Sequence, residues 1–314
     1  MLRNVLERYG TALAGLVLVL FFAWTAPNFA SAGNLLNILK ETSFLAILSL
    51  GFTLALINAE LDLSVADVAS LAAVVCGALI HGGQPVPLAV AGGLGAGLGC
   101  GIINGLVVTR LRVPSLIATL GMAAMARGFG FMLTEGVSFV GRWPQSFTGL
   151  GRGVLLGIPA LVWWLAAVAL GSLFLIKCTR TGARMTATGE ASEAARLAGI
   201  NTLRMKGLGL ALAGLLAGLT AVLLAASLSS AAPNMAGDYF LYAIAAVLLG
   251  MTMFEPGRAN VPGTLAAALT LKVLGNGLVL LGAPYYVQDI VLGFIIIVSV
   301  AVSAAVLKKA AFKF

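Results

Sequence analysis

The stretch "PLAVAGGLGAGLGCGIINGLVVT", residues 87–109, carries no charged side chain from end to end. A helix needs about 20 predominantly apolar residues to cross the ~30 Å hydrocarbon core of a bilayer, so this run is long enough to span it. Its glycine-rich part, residues 90–105, supplies small-xxx-small faces on which a second helix can approach closely. It is no dinucleotide-binding loop, because no strand precedes it and it sits in the middle of an apolar span.

The rest of the chain repeats the pattern. Of 314 residues, 60% are hydrophobic and only 10% charged, and the mean hydropathy is +1.05, a composition foreign to soluble domains. Apolar segments at about 10–26, 42–58, 64–80, 87–109, 114–133, 154–177, 206–227, 238–253, 262–281 and 286–307 predict an all-α fold. The expected architecture is a polytopic integral membrane helix bundle of about ten transmembrane helices, forming one membrane domain over residues 1–314. Two connections are long: an outer segment at 134–153 and the strongly charged inner segment at 178–205. Arg3, Arg8, an apolar run and Ala30-Ser31-Ala32 mimic a signal peptide. The run from Ala12 to Ala26 is long for a signal core, however, so an uncleaved first helix is expected.

The formal net charge of +8 follows topology and is not laid out as a nucleic-acid footprint. With the N-terminus inside, the inner segments carry Arg3, Arg8, Arg110, Arg112, Lys177, Arg180, Arg184, Arg196, Arg204, Lys206, Arg258, Lys308, Lys309 and Lys313. The outer side keeps Lys40, Arg142 and Arg152. By the positive-inside rule both termini are cytoplasmic. Cys76, Cys100 and Cys178 fit no metal spacing, and the single histidine, His81, has no ligating companions. No metal, no cofactor and no acid/base constellation is expected, so the chain does not read as an enzyme.

Three carboxylates, Glu60, Asp62 and Asp67, stand close together in "LINAELDLSVADVASLAAVV", residues 56–75. The topology puts Glu60 and Asp62 in an inner turn, where they need not be buried. Ser64-Val65-Ala66-Asp67 reads as a capping box, with the serine oxygen accepting from the Asp67 amide and the carboxylate reaching back to the amide of Ser64. Asp62 adds negative charge near the positive helix end. The competing reading gives Glu60, Asp62, Ser64 and Asp67 a part in gating or partner contact; Glu60 in particular has no capping role. Pro114 opens the fifth span at a position that needs no backbone donor, and Asn260 stands near the cap of the ninth. Arg127 and Lys272 fall within or near the ends of spans, where a charge must snorkel or face a polar interior; for Arg127 the polar interior is the expectation. Asn58, Asn104, Thr119, Arg127 and Asn276 put polar groups in or beside apolar spans, which makes them candidates for lining a polar pathway.

In "TATGEASEAARLAGI", residues 186–200, strong helix formers run from Glu190 to Ala198, and Gly199 can take the left-handed C′ position. The segment is a solvated connector helix or a docking ridge. As a ridge, its contact residues are Glu190, Glu193, Ala194, Ala195, Arg196, Leu197 and Gly199.

These motifs resemble those of the permease subunit of bacterial ABC sugar importers, the ribose-type family related to branched-chain amino acid permeases. "ELDLSVADVASLA" (60–72) is similar to the family's Asp-Leu-Ser-Val turn, and "NGLVVTRLRVPSLIATLGMAAMARG" (104–128) to its central motif. "ATGEASEAARLAGI" (187–200) is similar to its cytoplasmic coupling segment, and "YAIAAVLLGMTMFEPGRANVPGTL" (242–265) to its penultimate inner loop. The resemblance implies that residues 190–200 dock on a cytoplasmic ATP-binding subunit in the bacterial inner membrane. It also implies that sugar descends between two permease subunits, a second copy or a paralogue, from a periplasmic solute-binding protein. The sequence departs from the family at Glu255-Pro256, where glycines are usual, and at Ala66-Asp67, where Gly-Ser is common.

Three functions compete. A pathway subunit of an ATP-driven importer needs a separate motor, and the chain has no Gly-Lys dipeptide and hence no P-loop, so ATP would be hydrolysed by a partner. A stand-alone ion-coupled secondary transporter would favour carboxylates at the midplane. A membrane enzyme lacks any catalytic cluster. The solute stays open between a pentose- or hexose-like sugar and an amino acid, nucleoside or signalling molecule.

Overall fold

The computed structural model describes the backbone of residues 2–311 and the side chains of residues 11–301; Arg3, Arg8, Lys308, Lys309 and Lys313 lie outside the described side chains. In chain order the helices are α1 (Leu2–Thr25), α2 (Ala32–Leu56), α3 (Val65–His81), α4 (Val86–Arg110), α5 (Ser115–Thr134), α6 (Gln145–Arg152), α7 (Ala160–Cys178), α8 (Arg180–Glu190), α9 (Ser192–Leu197), α10 (Thr202–Leu228), α11 (Tyr239–Gly250), α12 (Val261–Leu280) and α13 (Tyr285–Ala311). Among the described residues there are also four two-residue strands: β1 (Phe139–Val140), β2 (Val154–Leu155), β3 (Ile158–Pro159) and β4 (Ser230–Ala231).

Every predicted apolar segment falls on a helix. Among the described residues α2, α4, α5, α7, α10 and α12 are long and apolar enough to cross a membrane, and shorter apolar helices cover Thr11–Thr25, Val65–His81, Tyr239–Gly250 and Tyr285–Ala301. Several boundaries differ from the sequence reading, two of them for clear local reasons. The second segment begins at Ala32, not near 42, because its first turns carry Asn34, Asn37, Lys40 and Glu41 and so read as polar. The sixth begins at Ala160, not 154. Leu156 (φ 54°) and Gly157 (φ 78°) form a tight turn that pairs β2 with β3 antiparallel, because positive φ at both central positions matches the twist of a two-residue hairpin.

By contacts the chain divides into two compact units, residues 1–49 with 241–314 and residues 50–240. In the first, α1 packs on α12, and Phe22, Ala26, Phe29, Ile38 and Val273 share a buried core. Phe22 lies directly over Gly277. Asn34 and Asn276 exchange side-chain amide hydrogen bonds at 2.9 Å each. Lys272 does not simply reach for a surface: its Nζ lies 3.4 Å from Glu41 and over the Tyr242 ring. Asn260 caps α12 as read, its Oδ1 accepting from the Gly263 amide at 2.7 Å.

In the second unit α10 is the central helix, packed by α3, α4, α6 and α8. Its seam with α4 is made of glycine. Gly93, Gly97, Gly101 and Gly105 recur every fourth residue, which puts them on one face of α4. A Cβ on Gly97 would lie 2.7 Å from the Gly218 Cα and run into the Gly214 carbonyl, and one on Gly105 would lie 3.0 Å from the Gly207 carbonyl. Backbone therefore meets backbone. The intervening Gly95 and Gly99, where an added methyl would meet nothing within 4 Å, take no part. In lipid, where apolar burial gives helices little reason to associate, this close approach supplies the dispersion contact that holds them.

Gly97→Ala should therefore cost about 1–3 kcal/mol, as overpacking does in a tight interior. Gly99→Ala should be neutral or stabilising, since alanine is the better helix former by about 1 kcal/mol. Thermal unfolding of the detergent-solubilised chain distinguishes them; equal effects would contradict a one-sided seam.

Candidate functional site

Helix α2 ends because the backbone turns left-handed at Ala59 (φ 59°). The Ala59 amide donates to the Leu56 carbonyl at 2.8 Å and the Glu60 amide to the Ala55 carbonyl at 3.3 Å. That pair of bonds is the Schellman pattern, here with alanine where glycine is usual. Residues 57–64 then run without helix to the start of α3. An inner turn does not require Glu60 and Asp62 to be buried, yet both are, together with Asn58 and Ser64.

Side chains from neighbouring helices satisfy the free backbone amides and the polar side chains of this turn. From α5, Ser115 Oγ accepts from the Leu61 amide at 3.2 Å and Thr119 Oγ1 from the Leu63 amide at 3.1 Å. From α4, Asn104 Nδ2 donates to Ser64 Oγ at 3.0 Å. From α10, Lys206 Nζ meets Glu60 Oε1 at 2.6 Å, with both side chains largely buried. Gly209 of α10 leaves room for the Asn58 side chain, whose Nδ2 donates to the Leu54 carbonyl at 3.0 Å. Gly189 of α8 packs directly against the backbone at Ile57 and Ala59. Asn58, Asn104 and Thr119, read as pathway candidates, thus hold the turn from inside. Asn276 lies in the other unit, paired with Asn34.

The capping box does not form. Ser64 adopts an αR conformation (φ −89°, ψ −9°) with no side-chain cap bond. A capping side chain needs extended backbone to reach forward, and the Ser64 hydroxyl donates instead to Asp62 Oδ1 at 2.5 Å. The Ser64 amide donates to the same oxygen at 3.0 Å. Burial pushes the Asp62 carboxyl up from its ordinary pKa, and the two bonds from Ser64 oppose that shift. Asp67, freed from the cap, makes a fork with Arg127 of α5: Nε to Oδ1 at 3.0 Å and Nη2 to Oδ2 at 3.2 Å. Lys206 had been read only as an inner surface charge, since no spacing rule connects position 206 with position 60.

The inner segment departs from its reading in detail. Thr179 caps α8 by accepting from the Gly182 amide at 3.0 Å. Glu190 closes α8, Ala191 (φ −152°, ψ 77°) breaks the chain, and the following helix covers only Ser192–Leu197. Gly199 (φ 83°) is left-handed as expected, with its amide on the Arg196 carbonyl and that of Ile200 on the Ala195 carbonyl. Ala195 is buried and so faces its own chain. The outward face of α9 is Glu193, Ala194, Arg196 and Leu197, where Glu193 and Arg196 pair at 2.8 Å and Leu197 is 83% exposed.

Charged groups buried on a break between two apolar helices suit a solute route through a bilayer and serve no purpose in a mere anchor. The class so defined is a multi-pass membrane transport protein. The chain belongs to the family described as branched-chain amino acid transport system / permease component, which matches residues 34–300. It is 37% identical to the ribose import permease protein RbsC of Escherichia coli over 92% of this chain and 91% of that protein. It is 36% identical to that of Bacillus subtilis (95% and 92%). It is 31% identical to the L-arabinose ABC transporter permease protein AraH of Azospirillum brasilense (95% and 87%). A solved structure of an inward-facing ABC transporter of metal-chelate type shares the fold, with a TM-score of 0.53 over 97% of this chain and 99% of that one at 13% identity.

Removing Lys206 leaves the buried Glu60 carboxylate unpaired, so Lys206→Met should destabilise the chain by about 3–5 kcal/mol; Glu60→Gln should cost less, because the Lys206 side chain is 25% exposed, and the double variant should recover most of the loss. A double-mutant cycle on thermal unfolding measures this, and additive losses would deny the pairing. Ala59→Gly should raise stability by about 1 kcal/mol, because glycine takes the left-handed position without the Cβ clash.

Proposed function

We propose that the chain is the transmembrane pathway subunit of an ATP-binding cassette importer that takes up a small neutral sugar. The observation that carries this reading is the near-full-length match to a ribose import permease, 37% identical over 92% of the chain. The L-arabinose relative supports a pentose-like solute more than an amino acid. In this reading the whole chain acts as one permeation domain in a bacterial inner membrane with both termini inside. A periplasmic solute-binding protein delivers the sugar, and a second permease copy or paralogue completes the pathway. ATP is hydrolysed by a separate cytoplasmic subunit, and this chain holds no cofactor.

The inner segment 178–205 is the grip for that subunit. Its outward residues Glu193, Ala194, Arg196 and Leu197 offer one apolar anchor rimmed by polar groups, the usual anatomy of a docking contact. Glu190 closes α8 before the break, Gly199 ends the turn after α9, and Ala195 seats α9 on its own chain. A push on α9 reaches Gly189 of α8, which touches the backbone of residues 57–59, and so reaches the turn bearing Glu60, Asp62 and Ser64. In this reading that turn is the gate.

Leu197→Asp should weaken capture of the ATP-binding subunit about tenfold or more, as loss of an apolar anchor does, with the melting temperature of the chain unchanged. Ala195→Trp should lower that melting temperature, since the side chain is buried. Pull-down and ATP-dependent uptake in proteoliposomes read both. Unchanged binding and uptake in Leu197→Asp would remove the segment from coupling, and uptake by the chain alone on a proton or sodium gradient would make it a secondary transporter.

A further inference from the structure

Arg127 stands about 18 Å along α5 from its start at Ser115, a little past the middle of a helix ~30 Å long. Its side chain is 59% exposed although it pairs with Asp67. A guanidinium at that depth cannot face hydrocarbon without large cost, so its open side must meet water or a polar guest. The structure provides the place: a cleft of about 650 Å³, lined by Asp67, Arg127, Phe131, Asn234, Asp238 and Phe240, within the size range of small-molecule sites.

The chemistry of the walls is specific. Asp67 engages Nε and Nη2 of Arg127, which leaves the Nη1 donors and one Nη2 proton for a guest. Across the cleft, Asp238 is an acceptor that no cation pairs with among the described residues, and Asn234 offers both a donor and an acceptor. The irregular segment that carries these two is pinned to α3 by the Ala236 amide donating to Ser70 Oγ at 3.1 Å, so both walls are anchored to one helix. Phe131 and Phe240 add apolar faces. Interleaved donors and acceptors with aromatic faces match a ring that carries hydroxyls on its edge and C–H groups on its flat sides. One guanidinium against two carboxylates leaves the cleft net negative, which disfavours an acidic or phosphorylated guest.

We propose that this cleft is a binding station on the solute pathway, that its ligand is an uncharged polyhydroxylated solute of pentose size, and that Arg127 and Asp238 determine its specificity. The inference rests on the importer reading above and assigns the place where the sugar is held within the membrane. Asp67 is the positioning residue: it orients the guanidinium and does not itself need to touch the sugar.

The test is thiol protection in the assembled importer. With Cys76, Cys100 and Cys178 replaced by Ser, Ala124→Cys puts a thiol on the cleft wall outside the ion pair. The chain, its ATP-binding subunit and the binding protein are reconstituted in proteoliposomes, uptake of D-ribose and L-arabinose is recorded, and labelling by a charged methanethiosulfonate is timed. A pentose that is taken up should slow labelling about tenfold at ten times its Kd, and ribose 5-phosphate should not. Asp238→Asn, which breaks no ion pair, and Arg127→Lys, which keeps the charge on Asp67 but loses the fork, should each abolish protection with melting temperature and sugar-free labelling unchanged. Uptake of a pentose without protection would overturn the station while leaving the importer reading intact, as would equal protection by ribose 5-phosphate or protection that survives both variants. Uptake of neither pentose would remove the pentose assignment and this inference with it.

Discussion

A chain that interrupts a helix inside an apolar bundle must find a protein partner for each backbone group it frees, because no water is there to supply one. The break at residues 57–64 meets that demand from α5, while α4 and α10 satisfy the polar side chains that the turn buries. Ser115 and Thr119 take the amides of Leu61 and Leu63, Asn104 reaches Ser64, and Lys206 neutralises Glu60. Each partner is a helix residue, so α4, α5 and α10 are tied to the same short turn, and none of them can shift far without leaving a buried polar group unsatisfied.

The glycine seam is what brings those partners within reach. Gly105 meets Gly207 backbone to backbone, and the residues beside that contact, Asn104 and Lys206, are the two that α4 and α10 send to the turn. Larger residues along the seam would separate the helices by more than a hydrogen bond can stretch. Packing and polar satisfaction are thus one arrangement, and the tolerance of each for change is set by the other.

The same turn stands between α8 and the Asp67–Arg127 pair. Below it lies Gly189 of α8, followed by the outward-facing α9; above it α3 carries Asp67 to Arg127. In the proposed importer this is the route by which force applied at α9 changes the cleft. It is a chain of close contacts between rigid helices and a turn with little slack, which suits discrete rearrangement better than gradual deformation.

What the sequence alone determined is whatever depends on local composition and period. Apolar length put every predicted span on a helix, glycine at four-residue spacing marked a face for close packing, and Asn260 and Gly199 announced helix ends, because each of these signals concerns residues within a few turns of one another. The resemblance of four ordered motifs pointed to the family. Tertiary structure alone decided the roles of the carboxylates. Ser64 and Asp67 have the spacing of a capping box, yet the hydroxyl turned to Asp62 and the carboxylate to Arg127, sixty residues away. Glu60 and Lys206 gave no sign of each other, and Ala195, placed on a docking face by its neighbours, turned inward. A charge in a low-dielectric interior is governed by the strongest partner within reach, and in a helix bundle that partner comes from another helix, at a separation along the chain that no local pattern encodes.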